Sequence, residues 1–257
     1  MAKKCSSSLL AGWLVATADL AQGSTAQQDL LLTLSSPISG LARISADFDE
    51  DRDIGENEQG TFRAFRLHPV LPINLGSRFR LVSDTVLSAS AERLVQTADP
   101  HWNRDTVLQE TLSLSPARVQ ASGFQWAAGA TVRHESDGEW GVGPSLTLVQ
   151  EDATEVSGLT LAHMWSVSED HGDLSTLDAF TTWTRNGTGL TLRLEATYDE
   201  RTRQMLVPVG IALRRVFNTA SVGVAVDLRA RYYVDVPDND GRWGAGVGLT
   251  FTRRFAE

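Results

Sequence analysis

The sequence predicts an all-β chain, an antiparallel transmembrane β-barrel of twelve strands, and three observations carry that prediction. The first is the stretch Ser221 to Val234. There Val222, Val224, Val226, Leu228, Ala230, Tyr232 and Val234 share one face, and Ser221, Gly223, Ala225, Asp227, Arg229, Arg231 and Tyr233 share the other. An apolar wall backed by paired charges fits lipid on one side and a polar lumen on the other. The second observation is that this alternation returns along the chain in segments of strand length. The third is that the connections sort by end, acidic and longer at one end, short at the other, as in outer-membrane barrels.

The elements follow in order at 38–48, 61–73, 78–88, 107–115, 123–133, 140–150, 155–167, 175–185, 189–198, 205–215, 221–234 and 242–253. The odd connections are acidic: 49–59, the long 88–106, 134–139, 168–174, 199–204 and 235–241. The even ones include the turns at 74–77, 151–154, 185–188 and 217–220, with 116–123 somewhat longer. Aromatic residues fall into two girdles. Trp140, Trp165, Tyr198, Tyr232 and Trp243 stand beside the acidic loops, and Phe124, Trp126, Trp183, Phe217, Phe251 and Phe255 toward the short turns. Amphipathic rings favour the headgroup level, so the spacing suits a membrane barrel. Glu110 breaks the pattern, sharing a phase with Leu108, Leu112 and Leu114.

Composition is consistent with this fold. The chain has 257 residues, 42% of them hydrophobic, with no run approaching the ~20 apolar residues of a membrane helix. Lys3 and Lys4, the apolar Leu9 to Ala16 and the small residues Ser24-Thr25-Ala26 before Gln27 read as a secretory signal peptide over 1–26, leaving 27–257 as one barrel domain. Of 23 basic and 32 acidic residues, removal of Lys3, Lys4 and Asp19 leaves 21 and 31, a formal charge of −10. That balance argues against nucleic acid as a partner. Cys5 is the one cysteine and lies in the signal, so the mature chain has no disulfide or thiolate site. No cofactor is expected.

The ending places Trp243, Ala245, Val247, Leu249 and Phe251 on one face, approximating the terminal signal read by the barrel assembly machinery, although six residues follow. Both termini are then expected in the periplasm, with the acidic loops meeting outer-membrane lipid and lipopolysaccharide.

The blocks WGVGPSLTL (140–148), LAHMWSV (161–167), RWGAGVGLTF (242–251), FRLHPVLPINLGSRFRLVSDTVL (65–87) and LVPVGIALRRVF (206–217) together resemble an uncharacterised bacterial family. It is named for the meta-pathway of phenol degradation and sometimes carried under the misleading name neuromedin U. Their order and spacing carry the resemblance, which covers most of the mature chain. It implies an outer-membrane barrel passing small solutes, aromatic or hydrophobic ones among them.

Three candidate sites arise from the residues. If the phases hold, Arg66, Arg78, Arg80, Asp84, Asp178, Arg193, Glu195, Asp227, Arg229 and Arg231 point into the lumen, where opposed charges either select a passing solute or pair and fill the channel. His134 and Ser136, in His134-Glu-Ser136-Asp-Gly138, share an outward phase and resemble the His-x-Ser segment of outer-membrane phospholipases and lipid A deacylases, an alternative enzyme reading. A structural or adhesive barrel is the other alternative. Finally, Asp47, Asp49, Glu50, Asp51 and Asp53, with Asp235, Asp238 and Asp240, are either solvated or share Ca²⁺ or Mg²⁺ with surface lipid phosphates. His68, His101, His163 and His171 are scattered and suggest no metal triad.

Overall fold

The computed structural model describes residues 25–54, 60–93, 102–117, 122–167, 172–218, 222–235 and 243–253. One helix, α1 (Thr25–Ser35), precedes β1 (Arg43–Ile54), β2 (Gly60–Leu75), β3 (Phe79–Arg93), β4 (Trp102–Pro116), β5 (Phe124–Glu135) and β6 (Trp140–Glu151). After them come β7 (Glu155–Ser166), β8 (Leu174–Arg185), β9 (Thr188–Asp199), β10 (Gln204–Asn218), β11 (Val222–Asp235) and β12 (Trp243–Arg253). Each strand pairs with its sequence neighbours, and β1 pairs antiparallel with β12, closing the barrel. Closure removes the unpaired edges that an open sheet would expose to lipid.

The period of two sets the phase on every strand. On β11, Ala225 and Asp227 are buried inward while Leu228 and Tyr232 are exposed outward. Among the described residues, aromatic side chains of both girdles lie on the outer wall, with Trp140, Trp165 and Tyr232 at the long-loop end and Trp183, Phe217 and Phe251 at the other. Turn chemistry agrees: between β8 and β9, Asn186 and Gly187 adopt φ of 51° and 70°, the left-handed pair of a tight hairpin. Glu110 does face outward, and its two oxygens accept hydrogen bonds from Ser83 (2.7 Å) and Thr85. A polar group in lipid is costly unless bonded, and these two hydroxyls meet that need.

One expectation needs correction. The first strand lies at Arg43–Ile54 rather than 38–48, so Asp47, Asp49 and Asp51 belong to a strand and not to an acidic loop. The segment after the signal-like residues is helical: Thr25 and Ala26, assigned above to the signal, begin α1. Residues 1–24 lie outside the described residues, as do His101, His171, Asp238, Asp240 and Phe255, and Asp53 is described only as part of β1. No helix among the described residues is long and apolar enough to cross a membrane.

The helix sits inside the barrel at its short-turn end. Leu30, Leu31 and Leu34 pack on Val216 and Ala225, while Leu32 and Ile38 pack on Ala127, Val149 and Val156. These wall residues are inward-facing, so the helix covers apolar positions of the lumen. Full burial of a leucine contributes roughly 1.5–3 kcal/mol, so four such residues hold the helix firmly. Gly223 makes room for it, since a Cβ there would lie 2.6 Å from Leu30 Cδ2. Pro37 follows the last turn and stops the helix.

Candidate functional site in the barrel lumen

Above the helix the lumen is lined by charge. The most ordered part is a ladder across three strands. Asp47, Asp49 and Asp51 project inward from β1, Arg229 and Arg231 from β11, and between them β12 presents only Gly248, Gly246 and Gly244. A Cβ on Gly244, Gly246 or Gly248 would fall on a carboxylate oxygen of Asp51, Asp49 or Asp47 respectively. The absent side chains are what let the acids of β1 reach over β12.

Across those glycines, Arg231 donates from Nε and Nη2 to the two oxygens of Asp51 at 2.9 and 2.8 Å, and Tyr233 adds its hydroxyl at 2.8 Å. Arg229 pairs with Asp47 and lies 3.3 Å from Asp49. From the other side of β1, Arg66 of β2 stands 3.1 Å from Asp49. Asp49 and Asp51 are almost wholly buried, so these are pairs whose partners cannot be removed singly without leaving a stranded charge.

A second group lies around the lumen from the ladder. On β8 and β9, Asp178 accepts from Arg193 Nε at 2.7 Å and from Nη2, and Glu195 lies 3.2 Å from the same guanidinium. The Arg193 side chain keeps 51% of its surface exposed to the lumen, and Phe180 stands directly opposite it in the register. His68 and Asp84 meet at 2.7 Å on β2 and β3.

A third group anchors the helix. Arg214 of β10 holds Asp227 at 2.6 and 3.2 Å and also donates to the Leu34 carbonyl at 3.3 Å. Arg43 donates to the Ser36 carbonyl at 3.2 Å and the Ser39 hydroxyl at 3.0 Å. Two cations therefore gather where the last helical carbonyls lack intrahelical donors, the favourable end of the helix dipole.

A cavity of about 240 Å³ lies between these groups, with Leu34, Ser35 and Pro37 at the helix side. Of the residues expected in the lumen, Arg66, Asp178, Arg193, Glu195, Asp227, Arg229 and Arg231 line it together. Asp84 faces inward but pairs with His68 beside it. Arg80 lies at the short-turn rim, donating to Asn74 (3.3 Å) and the Ala117 carbonyl (3.1 Å). Arg78 corrects the expectation: it is an exposed turn residue between β2 and β3, because the strand resumes only at Phe79. Arg43, Arg214, Asp47, Asp49 and Asp51 are lumen residues that sequence reasoning missed. The signal was present in Arg43-Ile-Ser45-Ala-Asp47-Phe-Asp49, where polar and apolar positions alternate.

His134 and Ser136 do not pair with each other. His134 stacks on Trp140 at 4.2 Å with Nδ1 at 3.0 Å from the Glu139 carbonyl, and the Ser136 hydroxyl donates to Asp105. In the same loop, carboxylate oxygens of Glu135, Asp137 and Glu139 lie within 4.8 Å of one another. Asp47, Asp49 and Asp51, read above as either solvated or cation-sharing acids, are instead paired with arginine.

No family model and no curated protein matches the chain. Solved structures do. An outer-membrane channel from Pseudomonas putida F1 aligns over 84% of this chain and 96% of its own, at 14% identity and a TM-score of 0.63. The NanC porin aligns over 83% and 100% at 9% identity and 0.51. The β domain of the Bordetella autotransporter BrkA aligns over 83% and 100% at 11% identity and 0.50. At these identities the likeness is one of fold: a twelve-stranded antiparallel transmembrane barrel.

Proposed function

We propose that this chain is an outer-membrane channel for the passive passage of small solutes, with the long acidic loops outside the cell and both termini in the periplasm. The observation that carries the reading is the polar cavity of about 240 Å³ enclosed by a wall whose outer face is apolar. A barrel filled by its own side chains would need no such space. The channel fold of the similar Pseudomonas putida F1 structure and the resemblance in blocks 65–87, 140–148, 161–167, 206–217 and 242–251 support the same reading, as does the outward phase of β12 for handling by the barrel assembly machinery.

The lining narrows the solute class. Opposed Arg and carboxylate groups favour a solute that carries charge, and the ring of Phe180 beside Arg193 gives an apolar surface next to a cation. Small aromatic compounds bearing a carboxylate combine both features. A purely hydrophobic solute is disfavoured by this route. Conductance of the refolded protein in planar bilayers is the test: ion flow reduced by added benzoate but not by benzene supports the reading. A folded barrel with no measurable conductance would overturn it and leave a sealed structural barrel, which the lumenal helix favours.

A further inference from the structure

Near the long-loop end, His163 of β7 and Ser175 of β8 stand directly opposite in the register, on the outer face shared with Leu161 and Leu177. His163 Nδ1 lies 2.9 Å from Ser175 Oγ. On the other side of the ring, Asp173 Oδ2 lies 3.9 Å from Nε2, and Asp173 Oδ1 accepts the Ser166 backbone N–H at 3.0 Å. A carboxylate beside Nε2 favours the tautomer protonated there, which leaves the Nδ1 lone pair to accept the serine hydroxyl. Trp165 meets the imidazole edge-on at 5.3 Å and fixes its plane. Nucleophile, base and orienting acid thus occupy one patch.

The surroundings supply a substrate class. His163 and Ser175 border an open groove of about 470 Å³ on the barrel exterior, walled by Pro144, Leu146, Leu161, Leu177 and Met205. Tyr198 closes one side, within the girdle that includes Trp140 and Trp165. Aromatic girdles mark the headgroup level, which is where the ester linkages of membrane lipids lie.

We propose that His163, Ser175 and Asp173 form an acyl-ester hydrolysis site on the lipid-facing wall, acting on glycerophospholipids whose acyl chain occupies the groove. Ser175 Oγ attacks the ester carbonyl carbon and its proton passes to His163 Nδ1. The carbonyl carbon's bond to the glycerol oxygen breaks, that oxygen takes the proton from Nδ1, and lysophospholipid leaves an acyl-serine. Water then attacks the acyl carbon, giving its proton to Nδ1; the fatty acid departs as Ser175 recovers a proton. Asp173 is a positioning residue, steadying the imidazolium. This site is separate from His134 and Ser136 and does not draw on the lumen.

The test uses the full chain refolded into vesicles of phosphatidylethanolamine and phosphatidylglycerol, with fatty-acid release and labelling by a fluorophosphonate probe as readouts. The expected result is a probe adduct on Ser175 and release that falls at least about 100-fold in Ser175→Ala and in His163→Asn. Heat-modifiable migration confirms that each variant is a folded barrel, and Ser175→Ala retains wild-type conductance, so this site and the channel are judged separately. A folded wild-type protein that gives neither adduct nor fatty acid overturns the proposal, as does release that survives in Ser175→Ala.

Discussion

Asp51 on the first strand and Arg231 on the eleventh form a two-pronged ion pair across the twelfth, with Gly244 beneath them. The pair is buried on both sides, its side chains 5% and 15% exposed. Asp51→Ala should therefore destabilise the barrel by about 3–5 kcal/mol, because buried Arg231 loses both its carboxylate hydrogen bonds and keeps only Asp49, 3.9 Å away. In Asp51→Ala combined with Arg231→Ala, the total should be well below the sum of the single losses. Urea titrations of the refolded protein in lipid check this, and additive losses would mean that the two groups do not couple.

Selectivity should respond most to Arg193. Its side chain is the more exposed of the lumenal arginines, so its pairs with Asp178 and Glu195 contribute about 0–1 kcal/mol each to folding. Arg193→Ser is expected to leave the barrel folded and to shift the reversal potential in a KCl gradient toward cations. The double change Arg229→Ser with Arg231→Ser should shift selectivity the same way but also destabilise the barrel, since it strands Asp47, leaves Asp51 with Tyr233 and leaves Asp49 with Arg66 alone.

Adjacent positions on β11 should fail in different ways. Val226→Arg faces lipid and should cost about 2–4 kcal/mol if that position sits near the bilayer midplane. Ala225→Arg meets Leu30, Leu31 and Leu34 at a position with no exposed surface. It should displace the helix and raise conductance while the strands remain paired. Bilayer recordings alongside refolding titrations separate the two, and equal conductance in wild type and Ala225→Arg would mean that the helix does not limit flow.

Orientation can be read by labelling. Asp137 lies in the loop between β5 and β6, and Asp152 in the turn between β6 and β7, at opposite ends of the barrel. A membrane-impermeant maleimide should modify Asp137→Cys in intact cells and leave Asp152→Cys unmodified until the outer membrane is opened. The reverse pattern would invert the proposed topology.

The strands were legible because a period of two is a local property: Val222 to Val234 displays its two faces without knowledge of any neighbour. The same rule is obscured at Asp47, Asp49 and Asp51, where successive acids look like a solvated loop. Their partners, Arg229 and Arg231, lie far along the chain and become neighbours only when the barrel closes. The helix is not legible in the sequence because Leu30-Leu31-Leu32 has no face until Val216 and Ala225 supply the surface it covers. Arg78 reads as lumenal only if the strand begins one residue before Phe79, where the chain is still in the turn. His163 and Ser175 are each unremarkable on their own strands; only the register between β7 and β8 joins them.

The glycine track of β12 bears on how the molecule is completed. The acids of β1 and the arginines of β11 are more than a hundred and seventy residues apart in sequence, and their contact requires β12 to be seated between them on both sides. Without β12 in place, Asp47 and Asp51 have no route to Arg229 and Arg231; with it, they share hydrogen bonds over a strand that offers no obstruction. The ladder therefore records completion. A barrel that stalls one strand short carries its charges apart, and only the finished ring brings first strand and last into register with opposite charges matched.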